Sequence, residues 1–191
     1  KMFLEDLISN KLFLLTIVIA TGLLYFPLNR RKSKYYWESK IDRKIPLIPI
    51  FIIPYIYLFF PYVALGFVFL WNTAVVTNFL ESFIVANILA DIIWYLFPNG
   101  VRRPEIKVTG FWEKIVKKLY KIDKFDTNGF PSNHVYCSSI TTWYLILAFP
   151  QYWLLFLVVG ISIIFSTLFV KQHYVVDVVG GLIIFLISVM V

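Results

Sequence analysis

The chain has 191 residues, 60% of them hydrophobic and only 15% charged, with a net charge of +7 and a mean hydropathy of +0.77. That balance excludes an ordinary soluble domain, gives no reason to expect nucleic acid as a partner, and points to an integral membrane protein with one domain over residues 1–191. Cys137 is the single cysteine, so an internal disulfide is excluded, and it reads as a packing residue.

Apolar runs fall at residues 12–28, 45–71, 73–97, 135–149, 152–170 and 174–191, which predicts an all-α bundle of six membrane-spanning helices. The first run has no small-residue cleavage site and is followed by further spans, so it is expected to be a retained anchor and not a signal peptide. The second contains Pro46, Pro49, Pro54 and Pro61 and is expected to be kinked or partly non-helical. Between the third and fourth runs lies the longest polar stretch, residues 98–132. Within it Phe111, Trp112, Ile115, Leu119 and Ile122 recur at helical spacing, with Lys114, Lys117, Lys118 and Lys121 largely elsewhere on the wheel. This predicts a basic amphipathic helix lying at the membrane interface.

Connectivity then fixes which loops share a face. Residues 135–170 make two spans joined by the tight turn around FPQY, so the chain crosses after His134 and returns before His173. Arg102 and Arg103, beyond the end of the third run, belong to the same face, as does the loop 29–44. Sixteen of the eighteen lysines and arginines fall there, Lys1 and Lys11 being the exceptions. The positive-inside rule makes that face cytoplasmic and the amino terminus external.

The chain has only two histidines, each in a short polar cluster at the end of an apolar run: PSNH for His134 and KQHYVVD for His173. Either alone is unremarkable as a packed or interfacial side chain. Together they arrive with partners suited to one task. On a helix, His173 and Asp177 would project from one side, and the carboxylate would accept a ring N–H, leaving the other ring nitrogen free to attack. Ser132 reads as the N-cap of the following helix, whose end attracts anions, and His134 in the first turn is positioned to protonate a departing oxygen. Arg103 offers a planar fork for two phosphate oxygens, and Lys171 adds charge two residues before His173. Headgroup anchoring accounts for one of Arg102 and Arg103. No metal-binding cluster is apparent, and no cofactor is expected.

These residues resemble the three motifs of the type 2 phosphatidic acid phosphatase superfamily, K-x6-R-P, P-S-G-H and S-R-x5-H-x3-D. The chain offers LFPNGVRRP at 96–104, PSNH at 131–134 and STLFVKQHYVVD at 166–177. Leu96 stands where the family has lysine, Asn133 replaces glycine and Thr167 replaces arginine. Thr167 and Lys171 are one helical turn apart, so Lys171 is expected to return a positive charge from the neighbouring position on that face. The KQHYVVD form looks most like the branch containing inositol phosphorylceramide synthase relatives.

The resemblance implies a metal-independent, two-step reaction. His173 attacks phosphorus, His134 protonates the leaving lipid oxygen, and water hydrolyses the phosphohistidine, while Arg103, Ser132, Asn133, Lys171 and Arg102 supply the phosphate-binding groups. The expected protein is a lipid phosphate phosphatase acting on a phosphomonoester or diphosphate headgroup in the bilayer. The alternative is a phosphotransferase in which an alcohol replaces water. A transporter or scramblase with Glu81, Asp91, Asp177 and the histidines along a polar path is the non-enzymatic rival, and no inverted repeat favours it.

Overall fold

The computed structural model describes residues 11–191; Lys1 and its neighbours up to residue 10 lie outside them. Among the described residues the regular elements are helical, and the β-type pairing consists of isolated bridges, Tyr35 with Asn99 and Gly100 with Thr127. Helix α1 (Lys11–Leu23) runs into α2 (Tyr25–Asn29), and α3 (Lys40–Lys44) is a single capped turn. Helices α4 (Phe59–Leu70) and α5 (Val76–Leu96) follow, then α6 (Phe111–Ile122), α7 (Asn133–Ala148), α8 (Trp153–Phe169) and α9 (Val175–Val189).

Four helical segments are long and apolar enough to cross a membrane: Lys11–Asn29, Pro49–Leu70, Val76–Leu96 and Pro150–Phe169. The six expected spans are therefore not all met by length. Helices α7 and α9 have 16 and 15 residues, about 24 and 22 Å at the usual rise, against a hydrocarbon core of about 30 Å.

The proline-rich second run behaves as its composition dictates. Residues 45–48 are not helical, Pro49–Phe51 forms a 3-10 turn, Ile53–Leu58 is π-helical, and a regular α-helix begins only at Phe59. Prolines lack the N–H that an α ladder needs, so the chain widens and tightens around Pro49 and Pro54 before the ladder settles.

Helix α7 is the most enclosed element, touching α4, α5, α8 and α9. Its buried surface includes Ser138, Ser139, Thr141 and Thr142 as well as Ile140 and Leu145. Glycines opposite it allow the approach: a β-carbon on Gly66 would sit 2.7 Å from Thr141 Cγ2, and one on Gly160 would collide with Thr142 Oγ1. Small residues at crossings are the usual means by which apolar helices bring their backbones close. A second, smaller core lies under α6, where Val116 is fully buried with Ile52, Tyr55, Ile106 and Val170, and Trp112, Ile115 and Leu119 pack around it. The ends of the apolar stripe, Phe111 and Ile122, stay 66% and 72% exposed.

Candidate active site

Four chain segments distant in sequence meet at one end of the bundle. The loop after α2 pairs with residues 98–100 through Lys34 N–H to the Pro98 carbonyl (2.7 Å) and Gly100 N–H to the Tyr35 carbonyl (2.9 Å). Its Ser33 and Tyr36 hydroxyls donate to Asp126 at 2.9 and 2.6 Å. Asn99 binds both the N–H and the carbonyl of Phe130, and Ser132 N–H donates to the Asp177 carbonyl at 3.0 Å. At the opposite end Lys11 donates to the Trp71 carbonyl, in keeping with its exclusion from this cluster.

His173 does not lie on a helix. It sits in the non-helical link between α8 and α9, two residues before Val175 opens α9, so the helical spacing to Asp177 assumed from sequence is not the cause of their proximity. Asp177 Oδ2 is 3.4 Å from His173 Nδ1 and accepts the Tyr174 N–H at 2.8 Å, closing the first turn of α9, where the helix end favours its charge. The nearer partner of Nδ1 is the Gly129 carbonyl, at 2.9 Å. A carbonyl only accepts, so Nδ1 carries the ring proton and Nε2 keeps its lone pair. The tautomer expected from an aspartate partner is thus set by a backbone oxygen, with the carboxylate beside it.

His134 occupies the first turn of α7. Its ring is stacked on Tyr55 (centroids 4.3 Å, 13°) and lies 4.0 Å from the Phe59 ring. Both ring nitrogens are buried without a hydrogen-bond partner among the described residues. The two imidazole centroids are 6.0 Å apart. Ser132 has the N-cap position of α7 but makes no side-chain capping bond; its Oγ is buried and unpartnered.

A cavity of about 460 Å3 opens beside His173, lined by Arg102, Arg103 and Lys171 and by the acids Glu38 and Asp42. The three cations are differently engaged. The Arg103 terminal nitrogens donate to the Asp123 carbonyl, to Asp123 Oδ2 at 2.6 Å and to the Phe125 carbonyl at 3.1 Å. Arg102 is exposed, and its guanidinium stacks 4.9 Å over the Tyr36 ring. Lys171 lies past the end of α8 with a left-handed φ of 55°, so it does not continue the helical face of Thr167. Its ammonium instead donates to the Asp42 carbonyl at 2.8 Å, and burial lowers its pKa, opposed by Asp42 and Glu38. Asn133 lines a separate cavity with Asn87, Asp91 and Tyr136.

Sequence reasoning missed two contributors. Gly129 acts through its carbonyl, which no side-chain pattern reveals. Asp42 is buried, completes a Ser39 capping box on α3, and its Oδ1 accepts the Val175 N–H at 2.7 Å, which fixes the loop to the start of α9. The S-x-x-D spacing was a legible cue to it.

The chemistry that this geometry permits is phosphoryl transfer to an imidazole beside a cationic cavity. No curated protein and no solved structure matches the chain. The model of the PAP2 superfamily matches residues 75–191, which include both histidines, the arginine pair, Lys171 and Asp177, and the chain belongs to that superfamily.

Proposed function

We propose that the protein is a membrane lipid phosphate phosphatase that works through a phosphohistidine on His173. PAP2 superfamily members are phosphatases or related enzymes acting on phosphate-containing substrates. The observation that carries the finer reading is the pair of imidazoles 6.0 Å apart, one of them, engaged at Nδ1 by the Gly129 carbonyl, lining a cavity with Arg102, Arg103 and Lys171. In the first step Nε2 forms a bond to phosphorus as the bond to the lipid oxygen breaks, and His134 gives that oxygen a proton. In the second, water attacks phosphorus, returns a proton to His134 and releases phosphate and His173. Asp177 stabilises the charge that develops on the ring. Arg102, Arg103 and Lys171 hold the phosphoryl oxygens, the role that metal ions have in other phosphoryl transfers. Ser132, with its unbonded Oγ next to His134, joins them, whereas Asn133, which faces another cavity, has no supporting contact.

The reading includes membrane placement: α7 and α9 cross as shorter, enclosed helices, α6 rests at the interface with its lysines outward, and the site faces the cytoplasm because the lysines and arginines crowd that end. Labelling of a cysteine substituted at Lys40 by an impermeant reagent decides the side.

The test of function is a panel of phosphatidate and polyprenyl and alkyl phosphates, with phosphate release measured and alcohol acceptors present or absent. Release together with acid-labile phosphate trapped on the protein, lost in His173→Ala, supports the reading. Product formed only with an acceptor assigns the alternative, headgroup transfer of the inositol phosphorylceramide synthase type. No turnover of any phosphate ester overturns both.

A further inference from the structure

Asp91 has no part in the phosphoryl chemistry. It lies on α5, a helix long and apolar enough to cross a membrane, and is 9% exposed. Its Oδ2 is buried without a hydrogen-bond partner among the described residues. The residue borders two cavities. One, of about 200 Å3, lies between α1, α2, α4, α5 and α7, where Thr21, Asn87, Trp94, Asn133 and Tyr136 share the lining with it, and no lysine, arginine or histidine does. The other is a groove lined by Leu24, Pro27, Leu28, Ile92, Tyr95 and Leu96, which brings no cation either.

Helix packing accounts for the neighbours of Asp91 but not for Asp91 itself. Asn87 ties α5 to α1 and α7: its Nδ2 donates to Thr21 Oγ1 at 3.1 Å and to the Val18 carbonyl at 3.4 Å, and its Oδ1 accepts the Tyr136 hydroxyl at 3.2 Å. Such bonds between helices are ordinary polar glue. Asp91, one turn further along α5, stands beside this network, and a bare carboxylate in an apolar span is costly until its charge is balanced. The network supplies the means. Thr21 Oγ1, Asn87 Oδ1 and Tyr136 Oη each retain a lone pair, and Asn133 adds an amide oxygen to the same lining. Oxygens of these kinds, together with water, are what hard cations take. Trp94 Nε1, also buried and unpartnered, is a donor and so suits a water on an ion, not the ion itself.

We propose that this cavity is a site for one alkali cation, held by the Asp91 carboxylate and by oxygens of Asn87, Thr21 and Tyr136, with water completing the shell. Charge sets the valence: one carboxylate balances one positive charge, and a divalent ion would leave an excess in an apolar setting. Size agrees, since about 200 Å3 holds the ion and a few waters, each taking about 30 Å3 in the liquid. The ion joins α1, α5 and α7 at the level of Asn133, the residue before His134, so its binding steadies the first turn of α7. The site stands independently of the phosphatase reading.

The test uses the full chain in detergent, with melting followed in sodium, potassium and choline chloride at equal ionic strength. A cation that binds only the folded state raises Tm by mass action, so sodium or potassium lifts the wild-type Tm above its value in choline. Asp91→Asn, which keeps the shape and removes the charge, melts at the same temperature in all three salts. Equal wild-type melting in the three salts overturns the proposal and leaves a proton to neutralise the carboxyl. A cation response that survives Asp91→Asn unchanged overturns it as well. Equilibrium binding of radioactive sodium and rubidium decides the matter should that variant not fold: the wild type shows a saturable site, and Tyr136→Phe, which removes one oxygen, weakens it severalfold. No saturable binding, or wild-type affinity in Tyr136→Phe, overturns the site. Phosphate release is scored separately, so a chain that binds the ion without turnover defeats the phosphatase reading alone.

Discussion

Gly181 of α9 lies against the Ser132 carbonyl so closely that a β-carbon there would stand 2.8 Å from the oxygen and 2.7 Å from Val135 Cβ, and a β-carbon on its neighbour Gly180 would overlap the Phe130 ring. Two successive glycines therefore let α9 approach the segment 130–135, and that approach brings the two histidine clusters together. The expected outcome of Gly181→Val is overpacking that costs about 1–3 kcal/mol of stability and separates the imidazoles. Gly181→Ala is the milder form. A thermal melt with a turnover assay checks both, and activity should fall further than stability does. Full turnover in Gly181→Val would show that the contact does not set the site.

Because the Gly129 carbonyl holds the Nδ1 proton of His173, removing the charge of Asp177 should not release the wrong tautomer. In a triad whose aspartate alone orients the ring, amide replacement costs about 10,000-fold. Here Asp177→Asn is expected to cost about 10- to 100-fold, the share owed to stabilising the positive ring. His173→Ala should abolish turnover and trapped phosphate. Single-turnover kinetics on the three proteins separate the effects, and a 10,000-fold loss in Asp177→Asn would return the orienting role to the carboxylate.

Much of this site was legible in the sequence. The PSNH and KQHYVVD clusters, the arginine pair and the loop 29–44 do meet at one end, since the order of apolar runs constrains where chain ends emerge. The broken second span followed from Pro49 and Pro54, and α6 from the spacing of Trp112, Ile115 and Leu119. What sequence did not yield is the set of contacts made by backbone atoms and by partners far along the chain. The Gly129 carbonyl beside His173, the Asp42 link to Val175 and the Asp123 hold on Arg103 depend on loop conformations that periodicity does not encode. The helical premise for His173 and for Lys171 failed for one reason: the turn between α8 and α9 interrupts the ladder at residues 170–174.

The two arginines are expected to respond differently. Arg103 is tied by Asp123 and the Phe125 carbonyl, so Arg103→Ala leaves their oxygens without a donor and should cost about 1–3 kcal/mol of stability as well as substrate affinity. Arg102 is exposed and stacked on Tyr36, so Arg102→Ala should raise KM severalfold and leave Tm in place. Melting curves paired with KM values distinguish them, and equal loss of Tm in both would contradict the assignment.

Lys171 supplies the pH dependence. Its pKa is lowered from 10.5 chiefly by burial, so the native state loses this proton before the unfolded chain does. Between the lowered value and 10.5 the unfolded state binds more protons, and this residue's contribution makes stability rise with pH. Phosphate binding runs the other way, because the positive charge is lost as pH rises through the lowered value. Lys171→Met should weaken inhibition by inorganic phosphate, remove the alkaline limb of that inhibition, and leave Tm no lower, since an ammonium that is costly to bury is gone. Lys171→Arg, whose charge persists at every accessible pH, should retain affinity and shift the limb upward. A Lys171→Met protein with the wild-type pH profile for phosphate inhibition would place this ammonium outside the phosphate grip and leave it a purely structural tie to the Asp42 carbonyl.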